Sequence, residues 1–454
     1  MQGQGPRTQK KTSFEEKGNG GVVRLSYTPV KGHSFYEEIV ALAIAMYLTM
    51  GCGLRSVIKG LQLFNQFLGG ALGDIPSHQS IENWLIKVGI VEYYDSCKKF
   101  CDKDYAIIVD ESVTVGSQKA LVILAVPAQH EGHALKHKDC EVLAALVGTS
   151  WKAEDIEEEI LKLIDKIGHA PVYWVSDNGR NIRKGAELVG IPRHRDISHT
   201  IGIFMEREYK NREDFKAFTK KLAKIRLTYH LTYNAYLLPP KGRTMARFMN
   251  LTHQVDWGWQ MLKIYKGLDE RLQEAYKFIH DYKDLITELH YLTDAIDFIS
   301  ARFKQEGLSH FTADFCSDYI RKSLICSEHC TDGIKRVGQE ILKYIKEEEN
   351  LLEPRVERVQ MQPIDEAHHI SSDIIESSFG KYKDMQPMNK NIGITPIILA
   401  LPLLGKLDTK EDREAFDFKG KLESVRMEDL KDWKNMKLLD NWQVRRMLTF
   451  KKAI

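Results

Sequence analysis

Two runs, Tyr105-Ala-Ile-Ile-Val-Asp110-Glu-Ser112 and Pro171-Val-Tyr-Trp-Val-Ser-Asp177-Asn-Gly179, decide how this sequence folds. Each is a short apolar, β-rich stretch, which reads as a buried strand. Each closes on an aspartate, so its carboxylate is expected at the polar rim of a sheet. An acid at one strand end is ordinarily a cap or a turn residue, and Asp177-Asn178-Gly179 is good turn chemistry in its own right. Two acids ending neighbouring strands are a different matter. They crowd two negative charges, which is costly unless a cation neutralises them. A site built of carboxylate oxygens alone suits Mg²⁺ or Mn²⁺.

Working outward, Ala120–Pro127 is a second strand, reached through a turn at Gly116-Ser117, and a third lies within 142–150. An acidic amphipathic helix is expected over 152–167, a helix over 181–189, and a short strand near 194–197. Three strands, a helix, a strand, a helix and a short strand is the element order of the ribonuclease H-like fold, an α/β design with a central mixed sheet. Upstream, helical spacing predicts helices over 35–50 and 54–67. A third carries Ile81, Trp84, Leu85 and Val88 on one face, has Ser77 as N-cap, and is expected to end at Gly89. A connecting helix follows over 93–100. The 35–89 unit resembles a helix-turn-helix whose third helix would offer His78, Gln79, Asn83 and Lys87 to DNA. It is not basic, with three Lys/Arg against four acids, so a structural three-helix cap is the alternative.

A third acid must come from later in the chain. Glu376, in Ser372-Asp-Ile-Ile-Glu376-Ser-Ser-Phe-Gly-Lys-Tyr-Lys383, is the candidate. Ser372 can cap this helix, which alone would make Glu376 a first-turn dipole partner. Lys383 lies two turns further along the same face, and a carboxylate for metal beside a lysine for phosphate is what a phosphodiester site requires. Asp110, Asp177 and the 375–383 segment resemble the three acidic motifs of the DDE transposases of insertion sequences, and also the related hAT and Mutator-like enzymes. The resemblance spans roughly 35–405. The spacing from Glu376 to Lys383 matches the Glu-x6-Lys of the bacterial Tyr-Arg-Glu-Lys signature, although Ser372 and His369 stand where its Arg and Tyr would be. Asp196-Ile-Ser-His199 is similar to the C/D-x2-H element of the hAT and Mutator-like enzymes; an N-cap Asp with a helix-start His is the plainer reading. Glu111 points to the strand face opposite Asp110 and is not expected to share its metal.

The resemblance implies that Asp110, Asp177 and Glu376 converge on one side of the sheet and hold two Mg²⁺ (or Mn²⁺) ions about 4 Å apart. It further implies cleavage and strand transfer at the terminal inverted repeats of a transposon. The 199 residues from Asp177 to Glu376 exceed what the fold needs, and related enzymes insert a DNA-contacting domain there. Residues 207–247 hold eleven Lys/Arg and three acids, with Tyr229, Tyr233 and Tyr236 nearby, a mix suited to gripping a phosphate backbone through Lys220, Lys221 and Lys224. A basic run is also commonly just a solvated face. The stretch 267–300, with eight acids and three bases, is expected to be one. Trp257 and Trp259 could stack on an extruded base, core packing being the alternative.

The net charge of +2 neither requires nor excludes nucleic acid. Seven cysteines, an odd number in a long chain, fit a reducing compartment, and no 18-residue apolar run is present. A cytoplasmic protein, nucleoid-associated in a bacterial host, is therefore expected, with no membrane partner. Ligand-like spacings at His130/His133/His137/Cys140, Cys97/Cys101 and Cys326/His329/Cys330 match no regular zinc pattern. The expected division is an arm over 1–32, a helix-turn-helix domain over 33–92, and a first catalytic part over 93–210. A helical insertion over 211–360, a last catalytic part over 361–407 and a charged amphipathic tail over 408–454 complete it. The partners implied are double-stranded DNA, both transposon ends and target, and a second copy of the chain on paired ends. The rival readings are another ribonuclease H-like nuclease and a non-catalytic, domesticated DNA-binding protein.

Overall fold

The computed structural model describes residues 27–115, 118–242, 248, 251–353, 366–385, 393–440 and 442–452. Most of the expected arm, and Arg243 and Arg247 of the basic stretch, lie outside these.

Five strands form one mixed sheet: β1 (Tyr105–Val115), β2 (Gln118–Pro127), β3 (Glu141–Gly148), β4 (Trp174–Ser176) and β5 (Arg193–Arg195), in the order β3-β2-β1-β4-β5. The first three run as an antiparallel meander, while β4 and β5 lie parallel to β1. Parallel pairing demands crossovers. The helices α4 (Ala153–Ile167) and α5 (Arg180–Val189) supply them on one face, where Ile107, Val109, Ile123 and Trp174 meet Ile156, Ile160 and Ile182. The ladder of β4 is shorter than the 171–176 run, since only Trp174 to Ser176 find partners in both β1 and β5.

The opposite face carries Ala106, Ile108, Val122, Leu124, Tyr173 and Val175. Three helices cover it from the N-terminal side: α1 (Glu37–Met50), α2 (Leu54–Phe67) and α3 (His78–Asp95). They have no core of their own. Val40, Ile44, Trp84 and Leu85 belong to one cluster with the sheet, with the apolar Pro396–Leu403 segment and with Phe418, Leu422 and Trp433 from the C-terminal helices. Helix α3 does not end at Gly89 but continues to Asp95. The glycine has a packing reason instead: a Cβ there would collide with the Leu399 carbonyl.

Between β5 and the last part of the chain lies a helical body: α6 (Ile197–Tyr209), α7 (Glu213–Tyr229), α8 (Thr252–Ile264), α9 (Glu270–Tyr276), α10 (Lys283–Glu306), α11 (His310–Ile320) and α12 (Asp332–Glu349). Its core includes Ile201, Phe204 and Tyr209, so this body begins with α6, nearer residue 197 than 211. Helix α13 (Asp373–Met385) then returns to the sheet through Ile374, Ile375 and Phe379. The C-terminal helices are α14 (Lys410–Ala415), α15 (Phe418–Ser424), α16 (Met427–Lys437) and α17 (Trp442–Lys452). Phe418 and Leu422 of α15, Val425, and Leu430 and Trp433 of α16 pack into the chain's own core. No described helix is long and apolar enough to cross a membrane.

Candidate carboxylate site at the sheet edge

Register alone brings the first two acids together. Val109 of β1 pairs with Ser176 of β4 in parallel, the last pair of that ladder. Asp110 follows within β1, which does not close at this acid but runs on to Val115 against β2, and Asp177 follows just past the end of β4. Neighbouring strands lie about 4.8 Å apart. Strand alternation sends Asp110 to the side of Ala106 and Ile108, and Asp177 follows Tyr173 and Val175 of that same side. This is the face on which α13 packs. Asp110 is 9% exposed. Asp177 opens its turn by accepting the Gly179 N–H through Oδ1 at 2.9 Å. Glu111, on the other face, pairs with Lys119 at 2.9 Å.

Glu376 sits in the first turn of α13, half-exposed, and its Oε1 lies 3.5 Å from His199 Nε2. The other ring nitrogen of His199 is 3.0 Å from Asp196 Oδ1. Asp196 is fully buried. It caps α6 by accepting the His199 N–H at 2.7 Å, and its Oδ2 accepts the Ser372 N–H at 2.6 Å and hydroxyl at 2.9 Å. One carboxylate thus organises the starts of both α6 and α13. Ser372 directs its hydroxyl to Asp196, a role beyond capping its own helix.

The electrostatics follow from this crowding. Burial would raise the Asp196 carboxyl, but hydrogen bonding and charge from His199 hold it below its ordinary range. Burial would depress the His199 imidazole; Asp196 first, then Glu376 and Asp177, hold it up to about 9. Burial also raises the Glu376 carboxyl, with Asp373 and Asp196 adding to the effect and His199 opposing it. Three acids therefore share one field around a cationic imidazole. The donor set, a carboxylate within the central strand β1, one just past the end of β4 and one borne by a helix, fits a hard divalent cation. The three carboxylates are not drawn tightly together, however. Among the described residues, the one grouping of three potential ligands whose atoms lie within 4.8 Å of one another is Asp256, His290 and Asp294, in the helical body.

Lys383 is exposed on α13, seven residues after Glu376. Gln79 is exposed on α3, and its side-chain amide donates to Asn83 at 3.3 Å and Glu82 at 3.4 Å. Lys87 corrects an expectation. It is 8% exposed and its Nζ lies 3.5 Å from His33 Nε2, so it does not present an exposed side chain to DNA. At this position the helix face expected to read DNA is covered by His33 and lies near Glu428 and Asp429 of α16.

On α7, Lys220 and Lys224 are exposed and form no ion pair among the described residues. Lys221 lies over the Phe278 ring at 5.1 Å. Lys210, Arg212 and Lys216 are already paired with Glu206, with Asp214 and Glu288, and with Glu213. Trp257 donates to the Leu237 carbonyl at 3.0 Å and Trp259 stacks on His290 at 4.2 Å, so both are engaged in packing. Among the described residues, the three His/Cys spacings do not gather into a metal grouping.

A buried polar chain that sequence reading missed joins the helical body to this site. His194 Nδ1 lies 2.9 Å from Glu348 Oε2, and its Nε2 lies 2.9 Å from His368 Nδ1. His368 Nε2 then reaches Glu366 at 2.9 Å. Arg195 donates to Glu348 at 2.6 Å. Glu348 is 154 residues from His194, and nothing local distinguishes it from the other acids of α12. Lys304 of α10 forms an ion pair with Asp373 at the start of α13. Comparison with known protein families and with curated proteins finds no match to this chain.

Proposed function

We propose that this chain is a DDE-type DNA transposase with a ribonuclease H-like catalytic core, using Asp110, Asp177 and Glu376 on DNA phosphodiesters. The observation that supports the reading is the register of β1 against β4, whose last pair, Val109 with Ser176, immediately precedes Asp110 and Asp177, on a sheet whose same face receives α13. The strand order β3-β2-β1-β4-β5, antiparallel then parallel, supports the same fold assignment. So does a large helical body interposed between the second and third acids.

In this reading Asp110, Asp177 and Glu376 would hold Mg²⁺ or Mn²⁺, two ions per site, which would supply nucleophile activation and leaving-group stabilisation when bound. The remaining work belongs to the chain. Asp196 and Ser372 fix the start of α13 and hence Glu376. The His199 imidazolium balances the charge of Glu376 and Asp177 and can meet a phosphate oxygen. Lys383, Lys220, Lys221 and Lys224 contact the DNA backbone, and Gln79 and Asn83 contact base edges at the transposon end. The partners are terminal inverted repeats, target DNA and a second copy of the chain.

One observation favours a second reading, DNA binding without cleavage: Glu376 faces His199 and does not close on the two aspartates. Incubating the protein with the inverted repeats flanking its gene and Mg²⁺ separates the two. The transposase reading expects nicks that expose 3′-hydroxyls at the element ends, lost in Asp110→Asn. End binding without nicks in either Mg²⁺ or Mn²⁺ would favour the second.

A further inference from the structure

We propose that Asp256, His290 and Asp294 form a site for a divalent transition-metal ion of borderline softness, such as Zn²⁺, within the helical body. It is distinct from the carboxylates at the sheet edge, and the proposal does not rest on the transposase reading. His290 and Asp294 are one turn apart on α10, and Asp256 faces them from α8. The two helices approach closely: a Cβ on Gly258 of α8 would lie 3.3 Å from Ile286 of α10. One ligand atom from each residue lies within 4.8 Å of the other two, the closest grouping of three such atoms among the described residues.

A second observation points to a ligand. His290 Nδ1 is buried and makes no hydrogen bond. It stands 3.4 Å from Asp294 Oδ1, a poor hydrogen bond. Donor atoms around a tetrahedral cation with bonds of about 2.0–2.2 Å are spaced by roughly that distance. Its ring is held from one side by Trp259, stacked at 4.2 Å and 27°, so the nitrogen keeps its aim. The surroundings are anionic. The Asp297 carboxyl is raised first by burial and then by Asp256 and Asp294, with a Thr252 hydrogen bond and Lys304 opposing. Lys263 lies on the Trp259 ring, 5.0 Å from its centroid. An imidazole nitrogen with two carboxylates suits Zn²⁺ far better than Mg²⁺, which selects oxygen donors. Asp294 is more than half exposed, leaving solvent access for water to complete the coordination.

The competing arrangement is an imidazolium at His290 paired with the two aspartates. Titrating the full chain with Zn²⁺ and, separately, Mg²⁺, by calorimetry and thermal unfolding, decides between them. The expected result in saturating Mg²⁺ is one Zn²⁺ site whose affinity falls at least tenfold in His290→Gln and in Asp294→Asn. Its affinity should be unchanged in Asp110→Asn, and Mg²⁺ should not displace the ion. Asp294 is exposed, so its variant keeps the fold and decides the matter if His290→Gln does not. Zn²⁺ affinity unchanged in Asp294→Asn would overturn the site, as would a His290 ring that still titrates as an imidazolium in excess Zn²⁺.

Discussion

Asp196 shows how much can hang on one side chain. It is fully buried, accepts from the N-terminal turns of α6 and α13, and pairs with His199. Replacing it with alanine strands the Ser372 hydroxyl and the imidazolium together. We expect Asp196→Ala to lower stability by about 3–5 kcal/mol, measured by urea unfolding. A loss under 1 kcal/mol would mean the carboxylate only decorates a turn. The neighbouring acids have a different assignment. Asp110→Asn and Glu376→Gln should reduce end cleavage by roughly 10³-fold or more while leaving gel-shift affinity for end DNA nearly unchanged. Comparable cutting by these variants would refute the DDE reading.

Among the elements, α3 joins the N-terminal helices to both the sheet and the C-terminal region. Glu92 on its last turns is 4% exposed and receives Lys406 and Lys421, each at 2.6 Å, with Lys99 at 3.5 Å. Burial alone would raise its carboxyl; the lysines, Lys406 foremost, bring it from 4.5 down to about 2. A depressed folded-state value stabilises the protein fully above the ordinary value near 4.5 and ceases to as pH falls toward 2. The span corresponds to something on the order of 3 kcal/mol. Glu92→Gln should therefore flatten the loss of thermal stability between pH 5 and pH 2; an unchanged acid profile would exclude Glu92 as its source. On the same helix, Gly89→Ala should cost about 1–3 kcal/mol, because the Leu399 backbone must move to admit a methyl group. For α7, the proposal that Lys220 and Lys224 grip phosphates predicts a specific signature. Changing both to alanine should weaken binding to every DNA sequence and reduce the slope of log affinity against log salt by roughly 2. A sequence-selective loss with an unaltered slope would contradict it.

At the scale of the whole molecule, the C-terminal helices are part of the fold. Phe418, Leu422, Leu430 and Trp433 are at most 2% exposed, in one cluster with α3 and the sheet. A truncation after Leu407 should lose cooperative unfolding, and a soluble, cooperatively folded truncation would show these contacts to be dispensable. Transposition joins two ends, so the proposed active form is at least a dimer on paired end DNA, the default symmetry of soluble assemblies. Light scattering with and without end DNA tests it, and a monomeric complex that excises both ends would overturn it.

The pattern of apolar runs and turns was enough to read the strands, the crossover helices and the two aspartates. These depend on local periodicity and on residues adjacent in the chain. It was enough, too, to place Glu376 on a helix. Three features needed the tertiary structure, because each is a contact between residues far apart. The β1–β4 register set Val109 opposite Ser176, one residue before each aspartate. The shared core joined α1–α3 to the sheet, and tertiary contacts buried Lys87. The Glu348–His194–His368 chain joins α12, β5 and the extended segment at His368, and the Asp256–His290–Asp294 cluster joins α8 and α10. A buried polar partner is chosen by geometry across the fold, and periodicity along one helix carries no information about which acid will meet which histidine.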